Sequence, residues 1–245
     1  LNEPVETASA SETVVRPVSA LWNVLFEPKA TFQGLRESTP WILPLVLLCV
    51  VIFGFSYINW TQNIDKQIEH VRLNENLDQN TRDMMLKQLE PNRDKPILWQ
   101  VAMGPVFAPV FWLLACGIWL MIGNVVLGGD GSFKGIWSVF LYANMVSVVE
   151  MIVQTAMIQM KGSADVFMSL ALAVPGADQS GFMFRALNGV DVFAIWFFAL
   201  MGMGLSVACK IDMKKSVITS FVIWAIWAIG IKAGLGSALG GMFGT

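Results

Sequence analysis

Residues 97–160 read ILWQVAMGPVFAPVFWLLACGIWLMIGNVVLGGDGSFKGIWSVFLYANMVSVVEMIVQTAMIQM, and the fold turns on them. The first 31 of these, Ile97 to Leu127, contain no Asp, Glu, Lys or Arg. A helix rises about 1.5 Å per residue, so about 20 such residues cross a hydrocarbon core of about 30 Å. The turn Gly128-Gly129-Asp130-Gly131-Ser132-Phe133-Lys134 follows, and Gly135 to Met160 then repeats the pattern with Glu150 as its one charge. The stretch predicts a membrane hairpin, with spans at about 98–127 and 135–158 joined by a glycine turn.

The rest of the chain agrees in kind. Of its 245 residues 55% are hydrophobic and 14% charged, with a mean hydropathy of +0.59. Soluble domains carry about 25% charged residues, so the bilayer is expected to be this chain's main solvent and first partner. A net charge of −2 without a basic cluster gives no footprint for nucleic acid. Cys49, Cys116 and Cys209 lie in or beside apolar segments, and His70 is the single histidine. That set supports neither a disulfide framework nor a zinc site, and no metal or other cofactor is expected. The fourteen methionines read as packing residues. The glycine turn lacks the Lys-Ser/Thr of a phosphate loop, and no GxSxG elbow or HExxH pair appears, so no enzymatic activity is expected.

Outward from the hairpin, residues 1–16 are polar and aperiodic and read as a disordered tail, not a signal peptide. Pro17 and Pro28 suit first-turn positions, giving two short amphipathic helices within 17–38. These are expected either to lie at the membrane surface with Trp22, Phe26 and Phe32 dipped inward, or to pack on the bundle. Glu37 and Asp65 enclose 27 uncharged residues, with Trp41 and Trp60 placed as interfacial belts around a first span at about 41–60. The mixed-charge segment 61–96 reads as an extramembrane helical insert, its second helix capped by Asn80 or Thr81 and ended by Pro91. Pro105 and Pro109 predict a kink near 101–109. Residues 161–188 form a connector in which 166–174 is a short re-entrant or surface run. Further spans are expected at about 191–209 and 216–235, before a Gly-rich tail at 236–245. Gly202/Ser206 and Gly230/Gly234 have the small-xxx-small spacing of close helix contacts. The fold class is all-α: a polytopic bundle of five transmembrane helices with an N-terminal amphipathic helix and a soluble helical insert.

With five spans the termini face opposite sides. Arg16, Lys29, Arg36, Lys134, Lys210, Lys214 and Lys215 make seven cations on one side; the other holds Lys161, Arg185 and Lys232 plus six in the insert. With the charge-balanced insert set aside, seven against three places the N-terminus in the cytoplasm and the C-terminus outside. Ionisable groups inside spans are costly and usually partnered. Glu150, Asp191 and Lys232 fall at the same depth, with Gln154 one turn from Glu150. They form an ion or proton site, as in a small channel or transporter, or a structural tie between helices, or Lys232 and Asp191 simply snorkel to the interface.

Four pieces of this sequence resemble the Yip domain family of Ypt/Rab-interacting membrane proteins, and more closely its bacterial branch. They are the lead-in from Leu21 to Leu35 with Pro28, Phe32 and Leu35, the turn with Gly128, Gly129 and Phe133 followed by Tyr142-Ala143, the run from Leu187 through Asp191, Phe193 and Trp196 to Ser206, and the charged insert. The family often has a proline shortly after Tyr-Ala; Asn144-Met145-Val146 stands here instead. The resemblance implies five spans, a cytoplasmic N-terminus and no catalytic activity. It further implies a scaffold or accessory role in membrane trafficking or beside an ABC-type exporter in a bacterial inner membrane. The partner would then be another membrane protein or a second copy of the chain.

Overall fold

The computed structural model describes residues 17–36, 39–74, 77–166, 168–170, 181–188 and 190–228. The tails 1–16 and 236–245, Lys232, Gly230, Gly234 and most of the 166–174 run lie outside them. Among the described residues the architecture is helical throughout, with one isolated bridge between Ser169 and Asp191.

The chain opens with α1 (Pro17–Phe26) and α2 (Pro28–Leu35). Glu27 separates them because a residue before proline is pushed out of the helical region; its φ/ψ of −127°/57° records this. Neither helix simply floats on the bundle. Leu21, Val24, Leu25 and Leu35 are buried in the main core, and Phe32 is 1% exposed beneath Gly204 and Val139. Trp22 and Phe26 do point outward. The expectation that Phe32 dips into lipid is therefore corrected: its ring fills space left by Gly204.

α3 (Ile42–Ile58) and α4 (Trp60–Leu73) meet at 61° across Asn59. α4 continues into the insert, followed by α5 (Gln79–Leu89) and a short 3-10 turn, Glu90–Asn92. Asp78, not Asn80 or Thr81, caps α5: its carboxylate accepts the backbone N–H of Thr81 at 3.0 Å and the Thr81 hydroxyl at 2.6 Å. Those bonds favour the ionised form and hold the Asp78 pKa below its ordinary value. The insert turns back on α4, with Leu86 and Leu89 packed against the cluster of Trp60, Ile64, Ile68 and Val101, and Trp60 Nε1 donates to the Asn92 carbonyl at 2.8 Å.

α6 (Leu98–Met121) runs through Pro105 and Pro109 as one continuous helix, so the prolines at which a kink is expected do not end it. Pro109 has no N–H for the carbonyl four residues back, that of Pro105; the Cys49 thiol of α3 donates to it at 3.6 Å. The irregularity lies later, in a wider π turn over Ile122–Val126. The next pass is α7 (Phe133–Ala143) and α8 (Met145–Lys161), interrupted at Asn144. Asn144 loads one acceptor at this point: its Nδ2 and its own N–H both donate to the Phe140 carbonyl, at 2.8 and 3.0 Å.

α9 (Phe182–Asn188) belongs to the connector, α10 (Val192–Cys209) is the next pass, and α11 (Met213–Ala225) packs back along α10. Gly202 permits that approach, since a Cβ there would lie 2.7 Å from the Val217 Cα. Ser216 and Ser220 donate to the carbonyls of Gly202 and Phe198 at 2.6 and 2.5 Å. Three helices, Leu98–Val126, Phe133–Lys161 and Val192–Cys209, are long and apolar enough to cross a membrane; α3 and α4 pass the same length and composition test only when taken together, as a pair bent by 61°. The rest of a span beginning with α11 lies outside the described residues.

Candidate functional site

Two regions gather the residues that the sequence singles out, one at each end of the bundle. At the first end, the π turn, the glycine turn and the end of α10 lock together. Asn124 grips Gly131 twice: Nδ2 donates to the Gly131 carbonyl at 2.8 Å, and the Gly131 N–H returns a bond to Oδ1 at 2.7 Å. The Asp130 N–H donates to the Cys209 carbonyl at 2.9 Å. Gly123, Gly129 and Gly131 all press on Cys209; a Cβ on Gly129 would lie 2.7 Å from both the Cys209 Cβ and its carbonyl oxygen. Gly128 turns the chain at φ +68°, and Lys210 ends α10 in the left-handed region. The glycine turn is thus a docking surface for α10 as well as a connection. α2 closes over it, so Phe32 and Leu35 line a cavity of about 400 Å³ with Asp130, Gly131, Ser138 and Lys210.

The other family-motif positions support this end structurally. Pro28 starts α2, and Phe133 is half-exposed at the start of α7. Tyr142 is fully buried and its hydroxyl donates to the Pro17 carbonyl at 3.4 Å, tying α7 to α1. Trp196 packs half-buried on the core.

Nearer the opposite end, α6, α7, α8, α10 and α11 line a larger, open space of about 750 Å³. Glu150 and Asp191 both line it, along with Asn144, Ser147 and Phe193, between aromatic walls that include Trp119, Phe198 and Trp227. Two of the four expected cluster members are therefore brought together. Gln154 is not among the lining residues, although it lies one turn along α8 from Glu150. Lys232 lies outside the described residues. Asp191 also serves the local fold, because its Oδ1 caps α10 by accepting the Ala194 N–H at 2.6 Å. Among the described residues no three His, Cys, Asp or Glu side chains gather as metal ligands would.

Sequence reasoning missed the Asn124 clamp and the Cys209 contact. A polar amide at the end of an uncharged span, seven residues before a glycine, was the available signal.

No curated protein and no solved structure matches this chain. The family model described as the Yip1 domain matches residues 22–233, a range that runs from α1 through every apolar pass and includes the glycine turn. Apolar helices of membrane-crossing length and a family match over most of the sequence lead to one conclusion: this chain is a membrane protein of the Yip1 domain family.

Proposed function

We propose that this protein is a non-enzymatic membrane scaffold or accessory protein, acting through contacts with another membrane protein or a second copy of itself. Membrane trafficking or an ABC-type export system in a bacterial inner membrane is the proposed setting. The observation that carries this reading is the unequal burial of the passes. Only 17% of the apolar window of α6 is buried, against 61% for α7–α8. α6 presents Trp99, Phe107, Phe111 and Leu114 outward, a broad apolar flank rich in the aromatic residues that interfaces favour. The interior is meanwhile committed to holding a fixed shape, through the α10–α11 serines and the clamp on the glycine turn. A rigid body with one lightly covered side suits a docking role.

The runner-up, a small channel or transporter, rests on a specific observation: Glu150 and Asp191 share the 750 Å³ space. Purification in gentle detergent after cross-linking in the membrane separates the two. The scaffold reading expects a stoichiometric membrane partner whose cross-links fall at Trp99, Phe107 or Phe111, and no solute flux from liposomes holding the pure protein. Flux that disappears in Glu150→Gln, with no partner recovered, overturns it in favour of the runner-up.

A further inference from the structure

Three parts of the chain that are distant in sequence close around the 400 Å³ cavity at the glycine-turn end. Its floor is apolar, formed by Phe32, Leu35 and Val139; its rim is charged. Arg36 is exposed there and has no ion-pair partner among the described residues. Lys210 meets Asp130 at 3.4 Å, but that carboxylate is 92% exposed. Among the described lining residues, two cations and one anion leave a single positive charge in surplus. Inside the rim lies Ser138, 2% exposed, whose Oγ has no hydrogen-bond partner. A helical serine ordinarily satisfies itself on a carbonyl in the preceding turn, and a buried hydroxyl left alone is costly. Here Ser138 is one of the residues lining a cavity large enough for a small molecule, and a small movement of its side chain would open the occluded hydroxyl to it.

We propose that this cavity binds a phosphate ester of a small alcohol, the chemistry shared by an anionic phospholipid headgroup and a soluble ester such as glycerol 3-phosphate. Arg36 and Lys210 supply charge-assisted donors to the phosphate oxygens, and the Ser138 hydroxyl supplies the buried one. The alcohol carbons rest on Phe32, Leu35 and Val139. Asp130 opposes binding and sets a moderate affinity.

The test uses the full chain in detergent micelles. Native mass spectrometry follows phosphatidylglycerol against phosphatidylcholine, and calorimetry follows glycerol 3-phosphate. Retention of phosphatidylglycerol over phosphatidylcholine identifies a lipid headgroup; binding of glycerol 3-phosphate identifies a soluble ester. Either supports the proposal provided that Arg36→Gln weakens it about tenfold and Asp130→Asn strengthens it. Ser138→Ala adds a second readout. It is expected to weaken binding while the melting midpoint of the ligand-free protein holds or rises, because an orphan hydroxyl has been removed. If neither probe binds, or all three variants match the parent, the cavity is a packing defect and the proposal fails.

Discussion

At Gly202 one added carbon would lie 2.7 Å from the backbone Cα of Val217, which no rotamer change relieves. Gly202→Val is therefore expected to push α11 off α10. Overpacking of this kind costs about 1–3 kcal/mol, and the melting midpoint in mild detergent should fall by several degrees. Gly54→Ala is the matched control, since nothing lies within 4 Å of a Cβ there. An equal loss at both positions would mean that helix glycines matter here for backbone reasons and not for contact. The residue scale is where the sequence was least legible. The Gly202/Ser206 spacing pointed to a close approach, yet the groups that complete it are Ser216 and Ser220, while Ser206 bonds within its own helix to the Met203 carbonyl at 2.7 Å. Spacing reports which residues share a helix face; it does not report which neighbouring helix brings the donor. Glu150 and Asp191 were legible because charge inside an apolar run is rare, whereas the role of Cys209 required knowing that three glycines converge on it.

Asn59 decides how the insert leaves the membrane domain. It is fully buried at the 61° bend, donates to the Phe55 carbonyl and the Thr155 hydroxyl at 3.0 Å each, and accepts from Gln159 Nε2 at 3.1 Å. Asn59→Ala removes the bonds to Phe55 and Thr155, leaves Gln159 Nε2 only the Ile58 carbonyl at 3.3 Å and frees the bend, at an expected cost of about 1–3 kcal/mol. Hydrogen exchange should show faster opening of α4 and α5 than of α10; uniform acceleration would instead make Asn59 part of the global core. The cap of α5 gives a pH signature. The Asp78 pKa is depressed in the folded protein by the Thr81 hydroxyl and N–H, so its contribution is fully present above the ordinary carboxylate value. It is lost as pH falls through the lower folded value. Protection of the Thr81 amide should hold from neutral pH down to about pH 4 and decline below it, while Asp78→Asn should flatten that response. The starts of α1 and α2 were readable because Pro17 and Pro28 fix them. Irregularities within the later helices were not. The Pro105 carbonyl freed by Pro109 meets a thiol from α3, and the interruption at Asn144 involves an amide that composition does not distinguish from a surface one.

Whole-molecule organisation follows from contacts that join distant loops. Lys66 pairs with Asp165 at 2.8 Å, putting the insert and the start of the connector at one end. The Asp130–Cys209 bond and the cavity shared by Arg36 and Lys210 put α2, the glycine turn and the end of α10 at the other. The cation tally separated these same groups of loops, and it became ambiguous only because the insert carries balanced charge that a count of Lys and Arg cannot discount. If the end with Arg36, Lys134, Lys210 and Lys214 is cytoplasmic, as the cation tally leads one to expect, single cysteines report it directly. In a background with Cys49, Cys116 and Cys209 replaced by alanine, Asp83→Cys on α5 should react with a membrane-impermeant maleimide in intact cells. Lys214→Cys at the start of α11 should react only after lysis. The opposite pattern reverses the orientation and leaves the bundle intact. Equal reactivity before lysis is the damaging result, because the two ends would then share a compartment. An apolar flank as open as that of α6 would in that case need a protein covering in place of lipid.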